Sequence, residues 1–527
     1  MNRRDFIKSS SALSLSLGVR GEDRQRDEHA ATREAATSLT VGFAERDITP
    51  DPGMEVPGGY VKDHIPEIHD PCKVRAAVFD DGQSRVALVG LDALIVPRHL
   101  VLAARERIHA ECGMRPEAVL IGASHNHSAG PIGMVQPGQF DDASPLIKKL
   151  AYEVSSTADP VYLRRVQEEI VTAVCHADRC RVEARCGFGV GKEDKVSFNR
   201  RLRMKNGLTY SHPGQGNPDI VSYAGPIDPQ VGVVGAWDKT GRLLGCIVNF
   251  ACHATTNPAG FSANWIYYLE KTVRGAMGED LPVVFLQGCC GDITQIDNLS
   301  PYAFPPGEKW AQIVGSSVGA EVVKVLVNIP SSDEISLDAR TKLWSIKRRL
   351  PSTDHVRRSY ELMQKNLKQV DPTQWVFAKE TVLLDTILAK EPAVEVEVQA
   401  IQIGPAVFLS NPGELFVEYG LELKARCGFP FTFPVELANG SVGYVPTEEA
   451  FGPHGGGYET RLTSYSNLEV SAGRQIVRAG LELAGQLTPG KVPTFPKALP
   501  FSRLSETGAK GIGPHPWSYG DVSPQLD

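Results

Sequence analysis

The sequence predicts a mixed α/β fold in which helices flank layered β-sheets. Short apolar runs of strand length recur along the chain, and segments with helical spacing separate several of them. Strands that alternate with helices are typical of α/β domains. The apolar runs are 74–79, 86–91, 119–121, 245–250, 283–286 and 406–409, and the helical segments lie near 98–112, 160–174 and 310–327.

The composition is that of a globular protein and argues against several function classes. Hydrophobic residues make up 42% of the 527-residue chain and charged residues 22%, which is ordinary for a globular domain. The formal net charge of -7 favours neither a nucleic-acid-binding surface nor a basic membrane patch. No apolar stretch reaches the roughly 18 residues that cross a bilayer, so no transmembrane segment is predicted.

The first residues of the chain predict export. Arg3 and Arg4 are adjacent, and a short run of small and apolar residues at 9–19 follows them. This arrangement resembles a bacterial twin-arginine signal, whereas the alternative is a simple basic N-terminus. We interpret 1–38 as a twin-arginine export signal with its linker, which predicts a periplasmic or secreted bacterial protein.

The rest of the chain is predicted to form one main domain and a tail. The main domain spans 39–487. Within it, the segment at about 340–390 is rich in Lys, Arg, Leu and Gln with helical spacing, which predicts a helical insertion packed on the sheet. Residues 488–527 are rich in Pro and Gly and are predicted to form a surface tail.

Histidines follow two of the apolar runs. His125 and His127 come after 119–121, and at i and i+2 of extended chain their side chains point to the same side. His253 comes after 245–250. Imidazole is the commonest zinc ligand, so metal binding or catalysis is one interpretation. The alternatives are loop histidines bonded to the backbone and, for His253, a satisfied core histidine.

Two further strand ends carry polar groups. A turn of small residues, Gly288 to Asp292, precedes Thr294, which indicates either a ligand-binding turn or a strand–turn capped by an acid. Glu414 follows Asn411 and Pro412, an order that suits the start of a helix with a capping box. The alternative for Glu414 is a metal ligand.

Together these segments resemble the neutral/alkaline ceramidase family, from about 41 to 487. The resemblance rests on a His-x-His-Ser motif at 125–128, a Pro-Gly-Glu motif at 412–414 and a Gly-Tyr-Val-x-Thr-x-Glu motif at 443–449. It implies the fold of the N-terminal catalytic domain of that family. It also implies a Zn²⁺ site, whose ligands would be His125, His253, Glu414 and Tyr444.

The resemblance also implies residues that act on the substrate. These are His127 beside the metal, Arg200 in the pocket and Tyr458 at the oxyanion. Thr294 occupies the hydroxyl position after the small-residue turn. The family carries Ser-Pro-Asn there and this chain carries Thr294-Gln295-Ile296, which sets the chain apart at that position.

The implied function is a zinc-dependent hydrolase of linear amide bonds. Its substrate would be a small-molecule amide, with N-acyl lipids such as N-acylsphingosine as the family example. One alternative is the same zinc site acting on another amide or ester of the cell envelope. A second alternative is a non-catalytic binding relative of the fold.

Overall fold

The computed structural model describes residues 38–365 and 370–497. The predicted export segment at 1–38 lies outside the described residues except for Ser38. Most of the predicted tail, 498–527, also lies outside them. Among the helices that are described, none combines the length and the apolar character needed to cross a bilayer.

The described residues form a mixed α/β structure, as predicted, with a large mixed sheet flanked by helices. The strands are β1 (Thr40–Asp47), β2 (Glu55–Val56), β3 (Asp63–His64), β4 (Lys73–Asp80), β5 (Arg85–Leu91), β6 (Val119–Ala123), β7 (Val182–Lys192), β8 (Phe198–Asn199), β9 (Arg201–Met204), β10 (Thr209–Ser211), β11 (Ile220–Tyr223), β12 (Gln230–Asp238), β13 (Leu243–Phe250), β14 (Val283–Gln287), β15 (Ile293–Thr294), β16 (Ser331–Ser332), β17 (Leu337–Lys347), β18 (Ala393–Ile403), β19 (Ala406–Ser410), β20 (Gly413–Leu415), β21 (Phe431–Val435) and β22 (Gly443–Val445).

Five of the nine α-helices in the described residues begin with a side-chain cap. Asp159 caps α3, because its carboxylate accepts from the backbone N–H groups of Val161 and Tyr162, and Pro160 occupies the first helical position. The helices are α1 (Arg98–Cys112), α2 (Pro145–Lys148), α3 (Pro160–Arg179), α4 (Trp265–Met277), α5 (Glu308–Leu326), α6 (Thr353–Met363), α7 (Pro372–Lys390), α8 (Val417–Arg426) and α9 (Ala472–Ala484).

The large sheet has the strand order β14-β13-β12-β7-β1-β4-β5-β6, and β16 pairs with β7. Its central pairings are antiparallel, but each edge is a parallel pair, β5 with β6 and β13 with β14. A second sheet has the order β17-β18-β19-β21. Both parallel edges send loops from their carboxyl ends towards the functional site, as is general for open α/β sheets.

Three apolar layers hold the sheets in place. Leu120 and Ile247 of the large sheet share a buried cluster with Phe408 and Phe433 of the second sheet, so the sheets pack face to face. Helices α1 and α3 cover one half of the outer face of the large sheet, and α4 and α5 cover the other half. Helices α8 and α9 cover the second sheet.

The prediction of a helical segment from about 340 is wrong for its first residues. Residues 340–347 belong to β17, an 11-residue strand that pairs with β18 along its whole length. At the start of β17, buried Leu337 and Ala339 alternate with the less buried Asp338 and Arg340, which is the period of a strand rather than of a helix. Two helices, α6 and α7, occupy most of the remainder up to Lys390.

Candidate metal centre

Three imidazoles from distant parts of the chain meet in one cluster. His125 and His127 follow β6, and His253 follows β13. Nε2 of His125 lies 3.2 Å from Nε2 of His127, and the candidate ligand atoms of all three residues lie within 4.8 Å of one another. The structure therefore brings together the three histidines that the sequence analysis identified after two of the apolar runs.

His125 is held in one orientation and one tautomer. Its backbone has a φ of 55°, the left-handed region that residues other than glycine adopt mainly at functional or strained sites. Its Nδ1 lies 3.0 Å from the carbonyl oxygen of Leu94. Because a carbonyl oxygen only accepts, Nδ1 carries the hydrogen, and Nε2 of the neutral ring presents its lone pair to the cluster.

Glu414 adds a carboxylate to the three imidazoles. Its Oε2 lies 3.2 Å from His125 Nε2 and 3.7 Å from His253 Nε2. This buried oxygen accepts no hydrogen bond from any described residue, and His125 Nε2, which faces it, presents a lone pair. Two buried acceptors that face one another favour a cation between them, so the donor set fits a metal ion.

The capping-box interpretation of Glu414 is wrong. Helix α8 begins at Val417, with Phe416 as the residue before it, rather than at Pro412. Glu414 lies in β20, where it pairs in parallel with Tyr444 of β22. This pairing places the carboxylate and the phenol side by side on neighbouring strands.

Burial favours the neutral forms of His127 and His253, which are the forms that bind metal. Desolvation, reinforced by His125, lowers the pKa of His127 to about 3. Desolvation, Arg200 and His125 hold the pKa of His253 well below its ordinary value.

Arg200 links the cluster to its surroundings through every guanidinium nitrogen. Nε donates to Glu459 Oε1 at 2.8 Å, and Nη2 donates to the carbonyl oxygen of Gly291 at 2.7 Å and to the Tyr444 hydroxyl at 3.1 Å. Nη1 lies 3.0 Å from His253 Nε2. The buried ion pair with Glu459 orients the Arg200 guanidinium beside the cluster.

Two phenols complete the wall next to Arg200. The guanidinium carbon lies 5.5 Å from the ring centre of Tyr444 and 5.2 Å from that of Tyr458. Burial is the main cause that raises the pKa of both phenols far above the ordinary value. In the metal-free protein both hydroxyls are therefore protonated near neutral pH, and Tyr458 is available as a hydrogen-bond donor.

The turn of small residues after β14 supports Glu414 and leaves Thr294 outside the cavity. The Gly291 N–H donates to the carbonyl oxygen of Leu415 at 2.8 Å, and a Cβ at Gly291 would lie 2.3 Å from the backbone oxygen of Glu414. Only glycine permits this approach. The Thr294 hydroxyl lies 3.4 Å from Gln295 Oε1, and Thr294 does not line the cavity described next.

The cluster opens into a cavity of about 350 Å³. Tyr444 and Tyr458 form part of its wall, and α7 contributes Lys379, Glu380 and Leu383. Helix α7 therefore supplies one side of the cavity, beside the histidines.

Several residues of the site escaped the sequence analysis. Glu459 holds Arg200 from 259 positions away, and its only local signal is that it follows Tyr458. Lys379 donates to the backbone oxygen of Tyr60 at 2.7 Å and pairs with Glu380 at 2.8 Å. A lysine and a glutamate on a predicted helix normally indicate a solvated face, so nothing in the local pattern distinguishes this buried pair.

Comparison with known proteins relates the chain to the ceramidases. A neutral ceramidase from Pseudomonas aeruginosa is 27% identical over 316 residues, which cover 57% of this chain and 41% of that relative. The matched segment therefore spans less than half the length of that protein. No family model matches the chain.

Solved structures share the fold over a longer stretch. The match to the crystal structure of neutral ceramidase from Pseudomonas aeruginosa covers 87% of this chain and 77% of the ceramidase chain, with a TM-score of 0.62 and 20% identity. A ceramidase complexed with C2 gives the same coverage and TM-score at 19% identity. The chain is therefore similar in sequence to a neutral ceramidase over part of its length, and it shares the fold of the solved ceramidase structures.

Proposed function

We propose that the chain is a zinc-dependent hydrolase of linear amide bonds. One observation carries the proposal: the buried side chains of His125, His253 and Glu414 direct acceptor atoms at one another across 3.2 to 3.7 Å, and His127 lies beside them. The name of the matched relative, a neutral ceramidase, supports an amide as the bond that is cleaved.

The donor set suits zinc in type and spacing. Bonds of about 2.0–2.1 Å from a tetrahedral zinc place neighbouring ligand atoms roughly 3.3 Å apart. The distances of His125 Nε2 to Glu414 Oε2, 3.2 Å, and of His253 Nε2 to the same oxygen, 3.7 Å, are close to that value. His125, His253 and Glu414 would hold the ion, with Tyr444 beside them. A bound cation would take the place of the Arg200 donor at His253.

The residues around the cluster suit amide hydrolysis. When bound, zinc supplies Lewis acidity and makes a water molecule nucleophilic near neutral pH. The neutral His127 ring accepts a proton at Nε2 from the attacking water and then donates it to the leaving amine. Tyr458 donates a hydrogen bond to the charge that develops on the carbonyl oxygen, and Arg200 adds a fixed positive charge nearby.

Turnover of an N-acylsphingosine by the purified protein tests this proposal. We expect free fatty acid to be released, the release to stop after dialysis against a chelator, and Zn²⁺ to restore it. A protein that holds zinc but releases no acid from any amide would sink the hydrolase proposal. It would favour the alternative of a binding relative.

The cavity wall favours an amide substrate that carries a polar group on one side. Lys379 and Glu380 place a buried ion pair beside apolar Leu383, so part of the wall is polar. An amide with a polar group on one side fits this wall better than one with two long alkyl chains. A comparison of N-acylsphingosine with a short, hydroxylated N-acyl amine separates the two, and a higher kcat/KM for the second compound supports the substrate with a polar group.

We also propose that the protein is exported, on the basis of Arg3 and Arg4. A reporter fused to residues 1–38 measures this directly in a bacterium with a twin-arginine pathway. We expect transport of the reporter, and retention when both arginines are replaced by lysine. Transport of the double variant at the normal rate would contradict the proposal.

A further inference from the structure

The second ring nitrogen of His253 is bound by a thiol. Cys290 Sγ lies 3.3 Å from His253 Nδ1, on the side of the ring away from the cluster. His253 is 1% exposed and Cys290 is fully buried, so no solvent takes part in this contact. Cys290 lies in the small-residue turn after β14 and has a free thiol.

The hydrogen positions around His253 follow from the partners. The nearest group to His253 Nε2 is Nη1 of Arg200 at 3.0 Å, and a guanidinium only donates. Nε2 is therefore an acceptor, and Nδ1 of the neutral ring carries the hydrogen. The Nδ1–H group donates to Cys290 Sγ, since the thiol is its partner within hydrogen-bond distance.

Two buried side chains, Gln287 and Glu436, hold the Cys290 thiol in place. Cys290 Sγ–H donates to Glu436 Oε1 at 2.9 Å, and Gln287 Nε2 donates to the sulfur at 2.9 Å. The Glu436 backbone N–H donates to the Gln287 carbonyl oxygen at 3.0 Å, which ties the loop after β21 to the end of β14. His253, Cys290 and Glu436 thus form one continuous chain of hydrogen bonds.

We propose that Cys290, held by Glu436, is the positioning residue that keeps His253 in the tautomer with Nε2 free for the metal. This inference rests on the metal site proposed above and concerns its outer layer. Histidines that bind metals commonly donate their other N–H to a carboxylate or carbonyl oxygen, which fixes the ring and tunes its basicity. Here a thiol stands between the imidazole and the carboxylate.

Three variants of the full-length protein separate this role from simple packing. Cys290→Ala removes the acceptor, Cys290→Ser restores an acceptor and a donor, and Cys289→Ala alters the neighbouring buried cysteine, which does not contact His253. Their Co²⁺ affinities are measured by competition with a chelator, with the visible spectrum of the bound ion as the signal. This readout does not depend on any substrate.

We expect Cys290→Ala to bind Co²⁺ about 10- to 100-fold more weakly, the usual loss when a metal-orienting partner is removed. Cys290→Ser should recover most of the affinity, and Cys289→Ala should bind as the wild type does. Wild-type affinity in Cys290→Ala would overturn the inference, and so would an equal loss in Cys289→Ala.

A second measurement needs neither a variant nor a metal. The ring ¹⁵N shifts of His253 in the metal-free wild-type protein report which nitrogen carries the hydrogen. We expect hydrogen on Nδ1, and hydrogen on Nε2 would overturn the inference. A wild-type protein that binds no metal would instead refute the proposed function, while the ¹⁵N measurement would still decide the role of Cys290.

Discussion

His127 is the residue whose role the geometry leaves most open to experiment. Its Nε2 lies 3.2 Å from His125 Nε2, close enough for both rings to face one ion. His127 is nevertheless the only one of the three histidines that is partly exposed, and it lines the cavity. A position between the ion and the substrate suits a proton carrier better than a structural ligand.

We therefore expect His127→Gln to keep its zinc and to lose activity. A positioned acid–base group typically contributes about 10²- to 10⁴-fold to a rate, so kcat should fall by at least about 100-fold. Elemental analysis and steady-state kinetics on the same preparation check both parts. Loss of the metal together with the activity would make His127 a ligand instead.

Gly58 is a second residue-scale test, because it touches His127. Its φ is 97°, and a Cβ there would lie 2.3 Å from His127 Nδ1. Gly58→Ala should displace the ring and lower kcat at least tenfold. Gly53→Ala is the matched control, since Gly53 also has a positive φ of 86° but open space around its Cβ position. Equal kinetic effects of the two substitutions would show that backbone strain, not the contact, matters.

At the scale of elements, helix α7 is joined to the cavity by a buried charge. Lys379 Nζ donates to Ser155 Oγ and to the Tyr60 carbonyl oxygen, both at 2.7 Å, and pairs with Glu380. Glu380 in turn accepts from Ser464. The ammonium group therefore joins α7 to two other segments around the cavity, and its partner Glu380 joins α7 to a third.

Removing that ammonium group should destabilise the protein strongly. Lys379→Ala leaves the Glu380 carboxylate buried without its partner, a change that typically costs about 3–5 kcal/mol of unfolding free energy. Lys390→Ala, at the exposed end of the same helix, should cause no measurable change. Urea unfolding of both variants checks the contrast, and comparable midpoints would contradict it.

A buried ionic network in another element predicts a pH dependence. Arg75 Nε of β4 donates to Glu270 Oε2 of α4 at 2.8 Å. Burial alone would raise the pKa of Glu270, but Arg75, Lys73 and Arg274 outweigh it and lower the pKa to about 2. As the pH falls, Glu270 is therefore protonated near pH 4.5 in the unfolded chain but only near pH 2 in the folded chain.

Unfolding free energy should consequently fall as the pH is lowered from about 4.5 to about 2, by on the order of 3 kcal/mol from this group. Above about pH 4.5, Glu270 makes its full contribution to the free energy of unfolding. The slope in this window should flatten in Glu270→Gln and persist in Glu106→Gln, which changes an exposed glutamate. An unchanged slope in Glu270→Gln would contradict the assignment.

At the scale of the whole molecule, the sequence predicted what short-range patterns encode. Apolar runs followed by histidines indicated the strand ends that carry the site, because strand ends in open α/β sheets gather functional groups. Glu414 was ambiguous, since Asn411-Pro412-Gly413-Glu414 has the signature of a helix start although the chain forms a strand there. Only its long-range pairing with Tyr444 decides the matter.

The supporting layer could not be predicted from the chain. Glu459 and Arg200 are 259 positions apart, and Glu436 and Cys290 are 146 positions apart. Such contacts depend on how the two sheets stack, which no local pattern specifies. The residues that carry chemistry were therefore easier to find than the residues that hold them in place.

Zinc content per chain is the measurement that tests the central claim most directly. The claim is that His125, His253 and Glu414 converge on one divalent metal ion. Elemental analysis of the purified wild-type protein should give one zinc per chain, and the His253→Ala protein should give none. A wild-type protein free of metal after growth with zinc, or a folded His253→Ala protein with its full zinc content, would contradict the claim.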